Sequence, residues 1–264
     1  MTLDLYPAID LRGGRCVRLM QGDYDRETHY GDDPVAQAVA FAGAGAAWIH
    51  VVDLDAARTG DPVNRPVIAA ICAAVGVPVQ SGGGVRDAAA AGALADAGVA
   101  RVVIGTAALE QPDLVADVAS RQPVAVGLDA RGRDVAVRGW EVASGQDLLD
   151  VARRFADAGV AAFVVTEIAR DGTLEGPSLS QLADVLGAVD ADVIASGGVG
   201  TVDHLRQLAD LQVPGVDGTP RRLSGAILGR ALYEGTVDLA DAIRNLAEIR
   251  RDVSDSSQIS GGTS

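Results

Sequence analysis

The chain has no lysine; all 22 of its basic residues are arginine. A phosphate loop of the GxxxxGK type is therefore excluded, and with it the commonest route to nucleoside-triphosphate chemistry. Acidic residues number 36, so the net charge is −14. That balance excludes nucleic acid as a partner, because phosphate backbones are held by basic surfaces. Any anion must be caught locally, by backbone amides or a few arginines. Cysteine is nearly missing: Cys16 and Cys72 stand far apart, and no motif places a histidine beside either. Neither a disulfide framework nor a cysteine nucleophile is expected. His29, His50 and His204 lack metal-ligand spacing, and no metal or other cofactor is expected. No GxGxxG follows a strand, which disfavours dinucleotide-dependent redox chemistry. No apolar run reaches the roughly 18–20 residues of a membrane span. The N-terminal MTLDLYPAID carries acids within its apolar stretch and has no basic region, unlike a secretory leader. The expectation is a cytoplasmic protein without a membrane partner, acting as a monomer on a small molecule.

What is present is enough apolar residue, 48% of 264 positions, to bury a large core. β-rich runs alternate with helical ones about eight times along the chain. The strands are expected at Leu5–Asp10, Trp48–Asp53, Val77–Ser81, Arg101–Gly105, Val124–Asp129, Ala162–Glu167, Asp192–Ser196 and Gly225–Gly229. Runs such as VAVGLD, FVVTE and GAILG are apolar throughout rather than alternating. Strands covered on both faces have that pattern. Pro34 and Pro112 mark helix starts. These features predict an α/β fold, a (βα)8 TIM barrel spanning residues 1–251, with a doubly wound open sheet as the alternative. The polar segment 252–264 is expected to be a disordered tail. Val213–Leu223 reads as a long loop on the face where strands begin. The chain also repeats itself at a little under half its length. AGAGAAWIHVVDLDAARTG parallels ADAGVAAFVVTEIARDG, QSGGGVRD parallels ASGGVGTVD, VVIGTAAL parallels AILGRALY, and PAIDLRGGRCVRL parallels GLDARGRDVAVRG. Four matches in one order imply two similar half-barrels.

Chemistry in such a barrel belongs where strands end. Asp10 ends the first strand and Asp129 the fifth, at matched positions. Two carboxylates facing each other across a barrel mouth suit general acid–base work. Helix capping or a salt bridge is the competing role for either. Asp53 ends the second strand, aligned with Thr166 in the other half, and reads as structural or substrate-orienting. Asp171 and Gly172 follow in RDGT. Glycine-bearing turns close four strands: Gly83 and Gly84, Gly105 with Thr106, Ser196 with Gly197 and Gly198, and Gly229 with Arg230. Glycine allows close backbone approach, and the following helix start offers free N–H groups. Tight turns alone could require these glycines. Their duplication argues instead for a ligand with two phosphates, one held by each half. Arg18 and Arg138, read as matched arginines, either clamp a ligand anion or pair with surface acids. Trp140 either stacks on a planar ring or packs in the core. Trp48 and His50 read as core residues.

These segments together with QGDYDRETHY, TEIARDGTLEGP and ILGRALYEG resemble the ProFAR isomerase family of histidine biosynthesis, from Leu5 to about Ala247. The resemblance implies an Amadori rearrangement of a bisphosphate aminoaldose to its aminoketose, without a cofactor. It implies Asp10 as proton acceptor, Asp129 as proton donor with Asp171 as a competing donor, and Thr166 orienting the reacting group. Ser178 departs from the asparagine usual in that family. A bifunctional relative that also isomerises phosphoribosyl anthranilate is the nearest alternative, and a non-catalytic phosphate-binding barrel is the alternative of another class. The sibling cyclase is disfavoured, because its first-strand loop carries a lysine.

Overall fold

The computed structural model describes residues 3–248. The segment 252–264, expected to be disordered, lies outside the described residues.

Eight parallel strands close into one ring: β1 (Asp4–Arg12), β2 (Ile49–Asp53), β3 (Val79–Gly82), β4 (Arg101–Ile104), β5 (Val124–Arg131), β6 (Ala162–Glu167), β7 (Asp192–Ser196) and β8 (Gly225–Leu228). Each pairs with the next, and β8 returns to β1 through Asp4↔Gly225 to Pro7↔Leu228. Closure excludes the open sheet, and with helices between the strands the architecture is the expected TIM barrel. All eight expected strands are found, within two residues of the expected starts and ends. The continuous apolar runs are explained by two-sided burial. Period two splits β1 into Tyr6 and Ala8, which join an interior cluster with Ala125, Ala162, Val164, Ile194 and Ile227. Leu5, Ile9 and Leu11 face the helix layer instead.

The helices begin as the sequence indicates. Pro34 opens helix Pro34–Gly43, and the Asp33 side chain accepts the Ala36 N–H at 2.9 Å. Pro112 opens helix Pro112–Ala119. Helix Leu148–Ala156 buries Leu148, Val151, Ala152 and Phe155 against the barrel wall, an apolar stripe at helical spacing.

Three hairpins were not anticipated. β1 continues through Gly13-Gly14, both at positive φ, into antiparallel strands Arg15–Met20 and Asp23–Gly31. β5 continues through Gly132 into Asp134–Val137 and Val142–Asp147. These two arms stand over the ends of the strands, where the ligand is expected. Val213–Leu223 is not an open loop: Gln212–Pro214 pairs antiparallel with Pro220–Arg222. A turn closed by Gly215 N–H to the Thr219 carbonyl, 2.7 Å, makes that pairing possible.

Register corrects two matches between the halves. Asp10 lies level with Val52 and Asp129 level with Thr166. The counterpart of Thr166 is therefore Val52, and that of Asp53 is Glu167. Both acids cap the turn that follows them, Asp53 accepting the Ala56 N–H and Glu167 the Ala169 N–H. In the arms, Asp10 faces Val17, while Ala130 faces Val135 and so sets Asp129 opposite Ala136. Arg18 thus corresponds to Val137, not to Arg138.

Candidate active site

A cavity of about 640 Å³ opens at the carboxyl ends of the strands, beneath the two arms. Asp10, Arg18, Gly83, Gly84, Gly105, Thr106, Asp129, Arg138, Trp140, Thr166, Asp171 and Ser196 all line it. Most of the residues expected at the site therefore line it. Five residues expected at the site do not line it. Gly197 and Gly198 pack on the loop after β6, where a Cβ on Gly198 would fall 2.3 Å from the Gly176 carbonyl. Gly172 and Arg230 are bound to each other, Arg230 Nη1 donating to the Gly172 carbonyl at 2.8 Å. Gly229 lies under the Arg18 guanidinium.

Three aspartates meet in this cavity, and each has a different setting. Asp10 accepts a hydrogen bond from Arg18 Nη1 at 2.9 Å, with both side chains largely buried. Burial raises its proton affinity and the Arg18 charge opposes that rise. Asp129 is raised by burial too, and its polar neighbours are the uncharged side chains of Thr166 and Trp140. Asp171 is pushed up to about 6, chiefly by burial; Arg18 opposes the shift, and the negative charges of Asp10 and Asp129 add to it. Burial thus raises all three, and a cation opposes the rise at Asp10 and Asp171 but not at Asp129.

The glycine turns divide into two kinds. Gly83 and Gly84 have positive φ, and a Cβ on either would strike the backbone at Asp53 or Ala56. Loop-on-loop packing alone requires glycine there. Gly105 and Gly229 differ: their φ/ψ values, −99/−106 and −110/−103, are nearly the same in the two halves. Each precedes a short helix, Thr106–Glu110 or Arg230–Tyr233, whose first amides have no intrahelical acceptor. Gly105 has no atom within 4 Å of a Cβ position, whereas at Gly229 that space is filled by Arg18.

The arginines thought matched behave differently. Arg18 is held inside by Asp10, while Arg138 is exposed and pairs with Glu110 at 3.1 Å. Trp140 neither joins the core nor stands free. It lies over Gly22 of the opposite arm, where a Cβ would fall 2.6 Å from its ring. Arg138, Gly139 and Trp140 all have positive φ, so this turn is strained. Trp48 stacks on Tyr6 in the core as expected, with ring centroids 5.6 Å apart. Burial pushes the Cys16 thiol up to about 11, which makes it inert as a nucleophile. His50 was read only as a core residue, yet it forms part of the cavity floor. The period-two pattern carries the missing signal: position 50 shares the inward face with Val52, not the outward face with Asp53. Among the described residues, no three His, Cys, Asp or Glu side chains cluster to hold a metal ion. Among the same residues, no helix is long and apolar enough to cross a membrane.

Comparison with known proteins agrees with this geometry. Residues 4–238 match the family model described as "Histidine biosynthesis protein". A protein of Rhodospirillum rubrum named 1-(5-phosphoribosyl)-5-((5-phosphoribosylamino)methylideneamino) imidazole-4-carboxamide isomerase is 51% identical over 246 residues, covering 92% of this chain and 99% of its own length. The like-named protein of Paracoccus denitrificans is 49% identical over 245 residues, with coverage of 92% and 99%. One from a Synechococcus strain is 47% identical over 260 residues, with coverage of 98% and 99%. With the family model spanning nearly the whole barrel and such relatives aligned end to end, the chain belongs to the histidine biosynthesis protein family.

Proposed function

We propose that the chain is an aldose–ketose isomerase that converts the bisphosphate aminoaldose ProFAR to its aminoketose, with Asp10 as proton acceptor and Asp129 as proton donor. The observation that carries the reading is the pair of strand-end carboxylates, one from each half, facing a single cavity. The isomerase names of the aligned relatives support the same reaction. In this mechanism a carboxylic acid protonates the furanose ring oxygen. The C1–O bond breaks as the amine nitrogen lone pair forms a protonated Schiff base. A carboxylate then takes the C2 proton, giving an enolamine that tautomerises to the aminoketose. Asp10 suits the second role, because the Arg18 cation favours its ionised form. Asp129 suits the first, because no charge beside it holds it ionised. Thr166, level with Asp129 on the next strand, orients the reacting group.

One phosphate is assigned to the turn at Gly105–Thr106, which lines the cavity, and the other to the matched turn at Gly229–Arg230, which lies behind the part of the wall that Arg18 forms. Arg18, lying over Gly229, supplies a cation to the second. The acidic surface is no obstacle to such a ligand, since amides and one buried arginine hold it.

One observation favours a second assignment of the donor. Asp171, pushed up to about 6, holds its proton closer to neutrality than an ordinary carboxyl. The test is an assay of purified protein on ProFAR, with Asp129→Asn and Asp171→Asn beside the unaltered chain. Turnover by the unaltered chain is expected, with Asp129→Asn losing about 100-fold or more in kcat. If Asp171→Asn loses more, the donor role moves to Asp171. Absence of turnover by the unaltered chain would overturn the reading. The same preparations assayed on phosphoribosyl anthranilate decide whether the activity extends to that substrate.

A further inference from the structure

The lower interior of the first half-barrel holds a polar chain that the mechanism above leaves unused. Arg101 is buried at 6% exposure inside the ring of strands. Its Nε and Nη2 donate to Gln80 Oε1 at 3.0 and 2.6 Å, and Nη2 also reaches the Tyr6 hydroxyl at 3.1 Å. The guanidinium lies 4.4 Å from the Trp48 ring centroid. Gln80 is fully buried, and its amide nitrogen sits 2.9 Å from His50 Nδ1.

Hydrogen-bond polarity runs in one direction through this chain. A guanidinium can only donate, so the Gln80 atom facing Arg101 is the carbonyl oxygen. The Gln80 –NH2 group must then face His50 and donate, so Nδ1 accepts. A neutral imidazole that accepts at Nδ1 carries its proton on Nε2. His50 Nε2 has no partner among the described hydrogen bonds, yet it is not among the sealed polar atoms left without one. It therefore meets the open cavity, which His50 lines. Register places His50 level with Ala8, one inward step below the level of Asp10 and Val52. The ring is on the floor directly beneath the carboxylates. Burial, with the charges of Arg18 and Arg101, pushes its pKa down to about 3, so it stays neutral under working conditions.

We propose that Arg101 and Gln80 are positioning residues that lock His50 as its Nε2–H tautomer, so that His50 presents one fixed N–H donor to a substrate oxygen lying between Asp10 and Asp129. The ligand chemistry is a hydroxyl or ring oxygen of a sugar phosphate. The assignment of that oxygen rests on the isomerase reading; the tautomer lock does not.

The lock is read directly in ligand-free protein labelled with 15N-histidine, which has three histidines to distinguish. The His50 signals are identified by their loss in His50→Gln. Nε2 is expected to be protonated and Nδ1 bare; a protonated Nδ1 overturns the proposal. Gln80→Glu keeps the side-chain volume and pairs with Arg101, but offers His50 an acceptor in place of a donor. The proton is expected to move to Nδ1, and kcat/KM on ProFAR to fall about ten- to a hundredfold, because Nε2 can no longer donate. A reversed tautomer with unchanged kcat/KM overturns the donor role, since simple core filling would give that result. If Gln80→Glu does not fold, His50→Gln is compared with His50→Leu. At least tenfold more turnover by the glutamine variant is expected, because its amide can still donate, and equal turnover overturns the proposal. Should the unaltered chain fail to turn over ProFAR, the isomerase reading falls while the nitrogen spectrum still decides the lock.

Discussion

The two halves of the barrel share a backbone plan and fill it with opposite chemistry. In the first half the interior carries Tyr6, His50, Gln80 and Arg101, joined by hydrogen bonds and buried. In the second it carries Ala125, Ala162, Val164 and Ile194, with no polar side chain among them. The arms repeat the contrast. Arg18 reaches Asp10 in the first half, and its counterpart in the second is the buried Val137. Both halves carry a carboxylate near the end of a strand at the same height, yet Asp10 has a cation beside it and Asp129 has none. A symmetric scaffold supplies two groups in register, and on the proposed reading its asymmetric lining is what separates their proton affinities for acid–base work. On that reading the lining is where the proposed roles of Asp10 and Asp129 are set.

The comparison breaks most visibly at Asp10 itself. Asp10→Asn is expected to lower kcat by about 10² to 10⁴. Affinity for inorganic phosphate should change far less than kcat, within a few fold, because the amides of both turns and the Arg18 charge remain. Steady-state kinetics and phosphate titration of the same preparation check both. Near-normal turnover would mean that the charge asymmetry does not mark the base.

A smaller effect follows from making the first half resemble the second. Arg18→Val removes the cation that opposes the burial-driven rise at Asp10. The carboxyl then holds its proton to higher pH. A base must be ionised to act, so the acidic limb of the kcat/KM profile should move up by about one pH unit or more. The reverse change, Val137→Arg, puts a cation beside Asp129 and should move the basic limb down, because the acid loses its proton earlier. Shifts of the two limbs in opposite directions would sharpen the contrast between the halves. A common shift would show that the two carboxyls titrate as one coupled unit.

Much of this was legible along the chain. Strands betrayed themselves as short apolar runs, and the repeat pinned Asp10 against Asp129, because both signals are local or linear. What stayed hidden depends on which residues face each other across strands. The match of Arg18 with Val137 is fixed by the Asp10↔Val17 and Ala130↔Val135 pairings, and a one-residue shift in a linear alignment replaces it with Arg138. The same shift set Asp53 against Thr166 rather than Glu167. The first arm did leave a trace, since Gly13-Gly14 between β-rich runs is a two-residue hairpin signal. Arg18 covering Gly229, and the run from Arg101 to His50, left none. They join residues from separate strands or loops, and only closure of the barrel brings them together.

The smallest expected difference lies in how the arms are tied down. Asn64 accepts the Gly14 N–H at 2.8 Å and donates to Asp53 at 2.7 Å and Asp55 at 2.8 Å. Gln181 does the corresponding work in the second half, donating to the Gly132 carbonyl at 2.8 Å and to Glu167 at 3.1 Å. Each amide joins the base of its arm to the acid that ends the neighbouring strand. Surroundings separate them: Asn64 and Asp53 are buried, whereas Glu167 and Gly132 meet solvent. Asn64→Ala would strip a buried carboxylate of a donor and should cost about 1–3 kcal/mol. Gln181→Ala exposes groups that water can reach, and should cost about 0.5–1 kcal/mol. Urea unfolding of the two variants measures the difference. Equal losses would mean that water enters both anchors alike.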